Sequence, residues 1–160
     1  MNTKLTHRAA TLDDLQAVCH FPQSREELFY SYPTAQWPLT RDQLAEAYAN
    51  RQGSTVVLLN NRLAAFANFF RCQPGERCDL GNLMVAPWAR RMGIAQHLIG
   101  VMEQQACQQH GVRFLHAACF SNNTPGLLLY THLGYLPVSI DERRDSSGQR
   151  TALIHLRKRL

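Results

Sequence analysis

The sequence predicts an α/β fold: a mixed, mostly antiparallel sheet of about seven strands with helices on both faces. Three observations carry that expectation. Helical spacing dominates the first fifty or so residues, alternating apolar runs joined by tight turns occupy Ser54 to Val85, and helical and strand-like segments then alternate to the end. Composition agrees, since 160 residues with 45% hydrophobic and 18% charged side chains suit one compact domain, 1–160, with a sizeable core.

The elements follow in order. Thr3 to Arg8 reads as a first strand, and Thr11-Leu-Asp-Asp14 as an acidic, Thr-capped helix start running into Leu15 and Val18. Thr40-Arg-Asp-Gln43 has capping-box spacing, with Leu44, Ala47 and Tyr48 at helical intervals behind it. Between these two helices, Phe21 to Pro38 carries three prolines and five aromatics and shows no clear period. Thr55 to Leu59 and Leu63 to Phe70 form two strands around the turn Asn60-Asn61, and Pro74-Gly75 turns the chain into a strand from about Arg77 to Val85. Arg90 to His110 is an amphipathic helix stopped by Gly111, and Val112 to Phe120 is apolar enough for a strand buried on both faces. A shorter helix from about Thr124 to Leu133 is closed by Gly134, and two last strands flank Asp145-Ser-Ser-Gly148.

The amino terminus lacks the apolar core of a secretory signal, and no apolar run approaches the roughly 20 residues of a membrane span, so a cytoplasmic protein is expected. The five cysteines include no Cys-x-x-Cys pair, which predicts reduced, mostly buried thiols, no disulfide framework and no metal. A net charge of +5 favours an anionic ligand. The basic pairs Arg143-Arg144 and Arg157-Lys-Arg159 are dispersed and lack an aromatic-interleaved groove, so nucleic acid is not an expected partner.

The densest local positive charge stands at a strand-to-helix junction, Arg90-Arg-Met-Gly-Ile-Ala95, behind the strand end Val85-Ala-Pro87. The first amides of a helix have no internal partner and sit at the positive end of its dipole, so a junction with small residues at 93 and 95 can cradle an anion. A second constellation, Asn123-x-x-Gly-x-x-Leu-Tyr-x-x-x-Gly-Tyr135, follows one helix and one strand later. On these two motifs and on the order of elements, the chain resembles the acetyl-CoA-dependent N-acetyltransferase superfamily called GNAT.

The resemblance implies a fourth and a fifth strand that start parallel and splay into a V, with acetyl-CoA as cofactor. It places the backbone of Met84 and Val85 on the pantetheine arm. The segment Arg90, Arg91, Met92, Gly93, Ile94 and Ala95 falls on the diphosphate; Asn123, Gly126 and Tyr130 are further cofactor-binding positions, with Asn123 on the pantetheine or the local backbone. Tyr130 is by the same resemblance the acid that protonates the leaving thiolate, a role open to a phenol that stays protonated at neutral pH. Asp79 is the first candidate for the base, with His116 or an ordered water as substitutes. No cysteine has a basic neighbour at readable spacing, so transfer is expected to be direct, with Cys119 a small buried residue.

Phe29, Tyr30, Tyr32 and Trp37 fall where relatives cover the acceptor, either as an aromatic wall for an ammonium group or as packing for the loop. The expected acceptor is the primary amine of a small molecule, with a peptide amino terminus or lysine as the alternative. A non-catalytic acyl-CoA sensor is the competing class. Oligomeric state is open, a homodimer included.

Overall fold

Asn60 and Asn61 both take positive φ, 51° and 67°, the geometry of a two-residue type I′ turn. The chain therefore folds straight back from β2 (Gln52–Leu59) into β3 (Arg62–Gln73). This is a computed structural model, and it describes residues 3–160. β1 (Leu5–Ala9) pairs antiparallel with β2, and Gln73-Pro-Gly-Glu76 turns β3 into β4 (Arg77–Val85). β5 (Phe114–Phe120) lies parallel to β4, and β6 (Leu136–Arg144) and β7 (Arg150–Arg159) complete a seven-stranded sheet of order β1-β2-β3-β4-β5-β7-β6.

Helices flank this sheet. A 3-10 turn (Leu12–Asp14) leads into the short α1 (Leu15–Val18), which packs on α3 (Arg41–Asn50) and β3. Asp14 closes the entrance by accepting from the Thr11 amide (2.8 Å) and from both terminal nitrogens of Arg8 (2.7 and 2.8 Å). Thr40 caps α3 through the Gln43 amide. Gln43 does not complete the box: its side chain turns back to hold Gln36 and Pro38 of the preceding loop. α4 (Ile94–His110) lays Ile94, Leu98, Ile99, Met102 and Ala106 across β2, β3 and β4, and ends where Gly111 takes a left-handed φ of 59°. Each buried Leu or Ile there contributes about 1.5–3 kcal/mol. α5 (Thr124–His132) packs on β5.

Three expectations need correction. The aperiodic aromatic segment holds a helix, α2 (Arg25–Ser31), capped by Ser24 on the Glu27 amide. β5 is not buried on both faces: Leu115, Ala117 and Cys119 are inside, while Ala118 is exposed and His116 half-buried because the sheet opens beside them. The cysteines are not all reduced, since Cys72 and Cys78 form a disulfide. They face each other across the β3–β4 hairpin, with Cα atoms 4.1 Å apart, because the turn at Pro74-Gly75 brings these two positions into register. Cys19, Cys107 and Cys119 are free thiols. No helix among the described residues is long and apolar enough to cross a membrane.

Candidate active site

β4 and β5 pair at Arg77–Phe114, Cys78–Leu115 and Asp79–His116, and there the ladder ends. Beyond it, β4 gains an extra residue against β3 between Gly81 and Met84, with Asn82 at φ 47°, a β-bulge that bends the strand. β5 meanwhile stays with β7 as far as Phe120. The two strands therefore diverge, and a cleft of about 1320 Å³ opens between them, bounded by α2, the start of α4 and the start of α5.

One end of the cleft is made of backbone. Arg91 and Gly93 both adopt left-handed φ, 60° and 76°, and the helix proper starts at Ile94 rather than Arg90. The amides of Arg91 through Gln96 find no acceptor among the described residues; the first amide of the segment to do so is that of His97, which donates to the Gly93 carbonyl (3.1 Å). Alternating conformations of this kind curl successive N–H groups into a concave anion site. A Cβ built on Gly93 would meet nothing within 4 Å, so the approach is open. The residues present thus fit a diphosphate.

Arg91, Gly93, Ile94 and Ala95 line this end, together with Met84 and Val85 on β4. Met92 does not; its side chain is 52% exposed and points away from the lining. Arg90 lines the cleft, but its charge is committed. It forms a bidentate pair with Glu27 (2.6 and 2.9 Å) and also donates to the carbonyls of Phe21 and Val85. That contact ties α2 to the end of β4 and holds the Glu27 carboxyl below the usual carboxylate range.

Tyr130 projects from α5 into the cleft, 7% exposed, its ring edge-on to Tyr135 at 5.6 Å. Its hydroxyl has no hydrogen-bond partner among the described residues, and burial pushes the phenol pKa well above its ordinary value. Asn123 caps α5 by accepting from the Gly126 amide (3.2 Å). Gly126 is needed for contact with the sheet, since a Cβ there would lie 2.9 Å from the Cys119 sulfur. Tyr135 serves structure: its hydroxyl donates to Glu103, which also binds Lys158. Burial pushes the Cys119 thiol up to about 11, leaving it protonated at neutral pH.

At the vertex, Asp79 faces the cleft, but both of its oxygens are taken. Arg71 Nε and Nη2 hold Oδ2 (3.0 and 2.9 Å), and Arg77 Nε and Nη2 hold Oδ1 (2.8 and 2.7 Å). A carboxylate so engaged is a clamp for two guanidiniums rather than a free acceptor for an amine proton. His116, its partner across the β4–β5 ladder, also lines the cleft; desolvation, then the nearby Arg77 charge, lowers its pKa, so the ring is neutral at pH 7.

The aromatic group divides. Tyr30 lines the cleft and donates to the Asn122 carbonyl (3.3 Å), while Phe29 stacks on Phe120 at 4.3 Å. Tyr32 is buried with its hydroxyl donating to the Gln43 carbonyl, and Trp37 packs on the core. Phe29, Tyr32 and Trp37 therefore anchor the segment, leaving Tyr30 on the cleft. Arg51, which no sequence signal singles out, also reaches the cleft, over Gly81.

The acetyltransferase (GNAT) family model matches residues 13–135. The chain belongs to that family. No curated protein sequence matches it. Among solved structures, a protein provisionally named phosphinothricin N-acetyltransferase superposes with a TM-score of 0.80 at 23% identity, covering 98% of this chain and 99% of its own. The ribosomal-protein-S18-alanine N-acetyltransferase of Escherichia coli gives 0.76 at 21% identity, over 98% and 94%. The yncA protein of Salmonella typhimurium, assigned as an acetyltransferase and solved with its cofactor acetyl-CoA, gives 0.75 at 18% identity, over 98% and 94%. By its family, the chain is an acetyl-CoA-dependent N-acetyltransferase.

Proposed function

We propose that the protein acetylates the primary amine of a small molecule by direct transfer. The observation that carries this reading is the juxtaposition, in one cleft, of the unclaimed amides of Arg91 to Gln96 with the unpartnered Tyr130 hydroxyl. When bound, acetyl-CoA supplies the thioester whose acetyl carbon the amine attacks, a C–N bond replacing the C–S bond. The amides of Arg91 to Gln96 hold the diphosphate, and the β5-facing edge of β4 at Met84 and Val85 takes the pantetheine.

His116 accepts the proton that the amine loses, because it is neutral and stands where the ladder opens. Tyr130 donates a proton to the sulfur that leaves, and its raised pKa keeps it in the acid form throughout the working pH range. Asp79 holds Arg71 and Arg77 in place. A small acceptor is favoured over a protein terminus because α2 is strapped over the cleft by the Phe29–Phe120 stack, the Tyr30–Asn122 bond and the Glu27–Arg90 pair.

The test is a panel of small amines and peptides with acetyl-CoA, read by thiol release and by product mass. Small amines should turn over with kcat/KM well above that for peptides carrying the same terminal group. Peptide preference would overturn the acceptor assignment, and firm acetyl-CoA binding with no turnover on any amine would favour the sensor.

A further inference from the structure

Arg51 ends α3 and extends over the vertex of the cleft, where its Nη1 lies 2.8 Å from where a Cβ on Gly81 would stand. The absence of a side chain at 81 is what gives the guanidinium its place. A buried amide network holds one corner of it: Nη1 donates to Asn82 Oδ1 (2.7 Å) and Asn68 Oδ1 (3.4 Å), Asn68 Nδ2 donates to the same Asn82 oxygen, and Asn82 Nδ2 donates to the Ser31 carbonyl. The rings of Tyr32 and Phe70 flank its carbon at 5.4 and 5.0 Å.

The other edge of the guanidinium, Nε and Nη2, has no acceptor among the described residues. That edge carries two parallel N–H donors and matches a carboxylate side-on. Arg71 and Arg77 grip Asp79 through the same edge of their own guanidiniums. Every other arginine lining the cleft is accounted for. Arg71 and Arg77 share Asp79, Arg90 pairs with Glu27, Arg143 pairs with Asp141, and Arg91 stands at the diphosphate end. Arg51 is therefore a half-buried cation without a carboxylate among the described residues, standing in the cleft just beyond the point where the β4–β5 ladder ends. Its partial desolvation also lowers its pKa, the expected response of a cation drawn out of water without a counterion.

We propose that Arg51 binds a carboxylate on the acceptor through its Nε and Nη2 edge, making the acceptor class amines that also carry a carboxylate, with α-amino acids the simplest members. This rests on the amine-acetylation reading above. Arg51 is then a specificity-determining residue: it positions the acceptor and takes no part in proton transfer.

Matched acceptors that differ only in the anion test the proposal: an α-amino acid and its carboxamide, assayed with wild type, Arg51→Gln and Arg51→Lys. Comparing the acid-to-amide ratio between variant and wild type cancels the different basicities of the two amines. In Arg51→Gln, kcat/KM for the acid should fall about 100-fold, mostly through KM, while the amide changes by less than about threefold. Arg51→Lys, which keeps charge but loses the fork, should recover part of the acid's rate. Equal losses for acid and amide, or a wild-type preference for the amide at equal fractions of free amine, would overturn it.

Should Arg51→Gln fail to fold, wild type alone decides. Calorimetry on the CoA-loaded protein should show the N-acetyl amino acid binding at least about tenfold more tightly than its carboxamide, and equal affinities would refute the assignment. If no amine of either kind releases thiol, the acetylation reading fails, and that calorimetric comparison still reads Arg51.

Discussion

Replacing Tyr130 by Phe removes one oxygen from a cleft wall and little else. The hydroxyl has no hydrogen-bond partner among the described residues, so no buried group is orphaned, and the ring keeps its edge-on contact with Tyr135 at 5.6 Å. Stability should therefore shift by no more than about 0.5 kcal/mol, or about 1–2 °C of Tm. A positioned general acid contributes about 10²- to 10⁴-fold, so kcat should drop by that range, with the KM for acetyl-CoA changing less than about threefold. Because burial raises the phenol pKa, the wild-type kcat profile should also show no loss of activity from Tyr130 ionisation below about pH 10. Stopped thiol-release assays with saturating amine, beside thermal melts of both proteins, give all three quantities. A variant with unchanged kcat, or with matched losses in kcat and acetyl-CoA affinity, would refute the acid role.

Gly93→Ala places a Cβ at a left-handed φ of 76° and in the open approach to the amides, so it should raise the KM for acetyl-CoA about tenfold or more while costing about 1–2 kcal/mol of stability, measured by saturation kinetics and urea unfolding. His116→Gln should lower kcat and remove the acid limb of its pH profile; in wild type that limb lies below pH 6.5, because the folded pKa is lowered and the neutral ring is the active form. The Arg8 guanidinium holds Asp14 below the ordinary carboxylate value of 3.8, so the unfolded chain binds that proton first. The stabilisation is complete above 3.8 and is lost as pH falls through the lower folded value, and Asp14→Asn should flatten the acid limb of Tm against pH. Thiol titration under non-reducing conditions should find one fast thiol, Cys107, and three in denaturant, since Cys72 and Cys78 are bridged. Five titratable thiols would deny the disulfide.

Local chemistry made the elements around the V readable in advance. Asn60-Asn61, Pro74-Gly75 and Gly111 each carry a turn or cap whose geometry few other residues adopt, and the junction Arg90 to Ala95 announces a helix entrance by its small residues. α2 escaped because prolines and aromatics mask it, although Ser24 and Glu27 stand three apart as an N-cap signature. The disulfide had a signal too: Cys72 and Cys78 are symmetric about Gly75, so any tight hairpin there pairs them. Asp79, the first candidate base, does line the cleft, but its capture by Arg71 and Arg77 depends on cross-strand neighbours that no one-dimensional period reveals. Arg51 is the extreme case. At a helix end it reads as a solvated cation, and it becomes a half-buried one through a glycine thirty positions later and two asparagines on neighbouring strands.

A crystal structure of the protein with CoA tests the central claim most directly. The diphosphate oxygens should lie within hydrogen-bond distance of the amides between Arg91 and Gln96, with the pantetheine running between β4 and β5 and its sulfur beside the Tyr130 hydroxyl. Density for the diphosphate elsewhere, with those amides turned to protein oxygens, would contradict it.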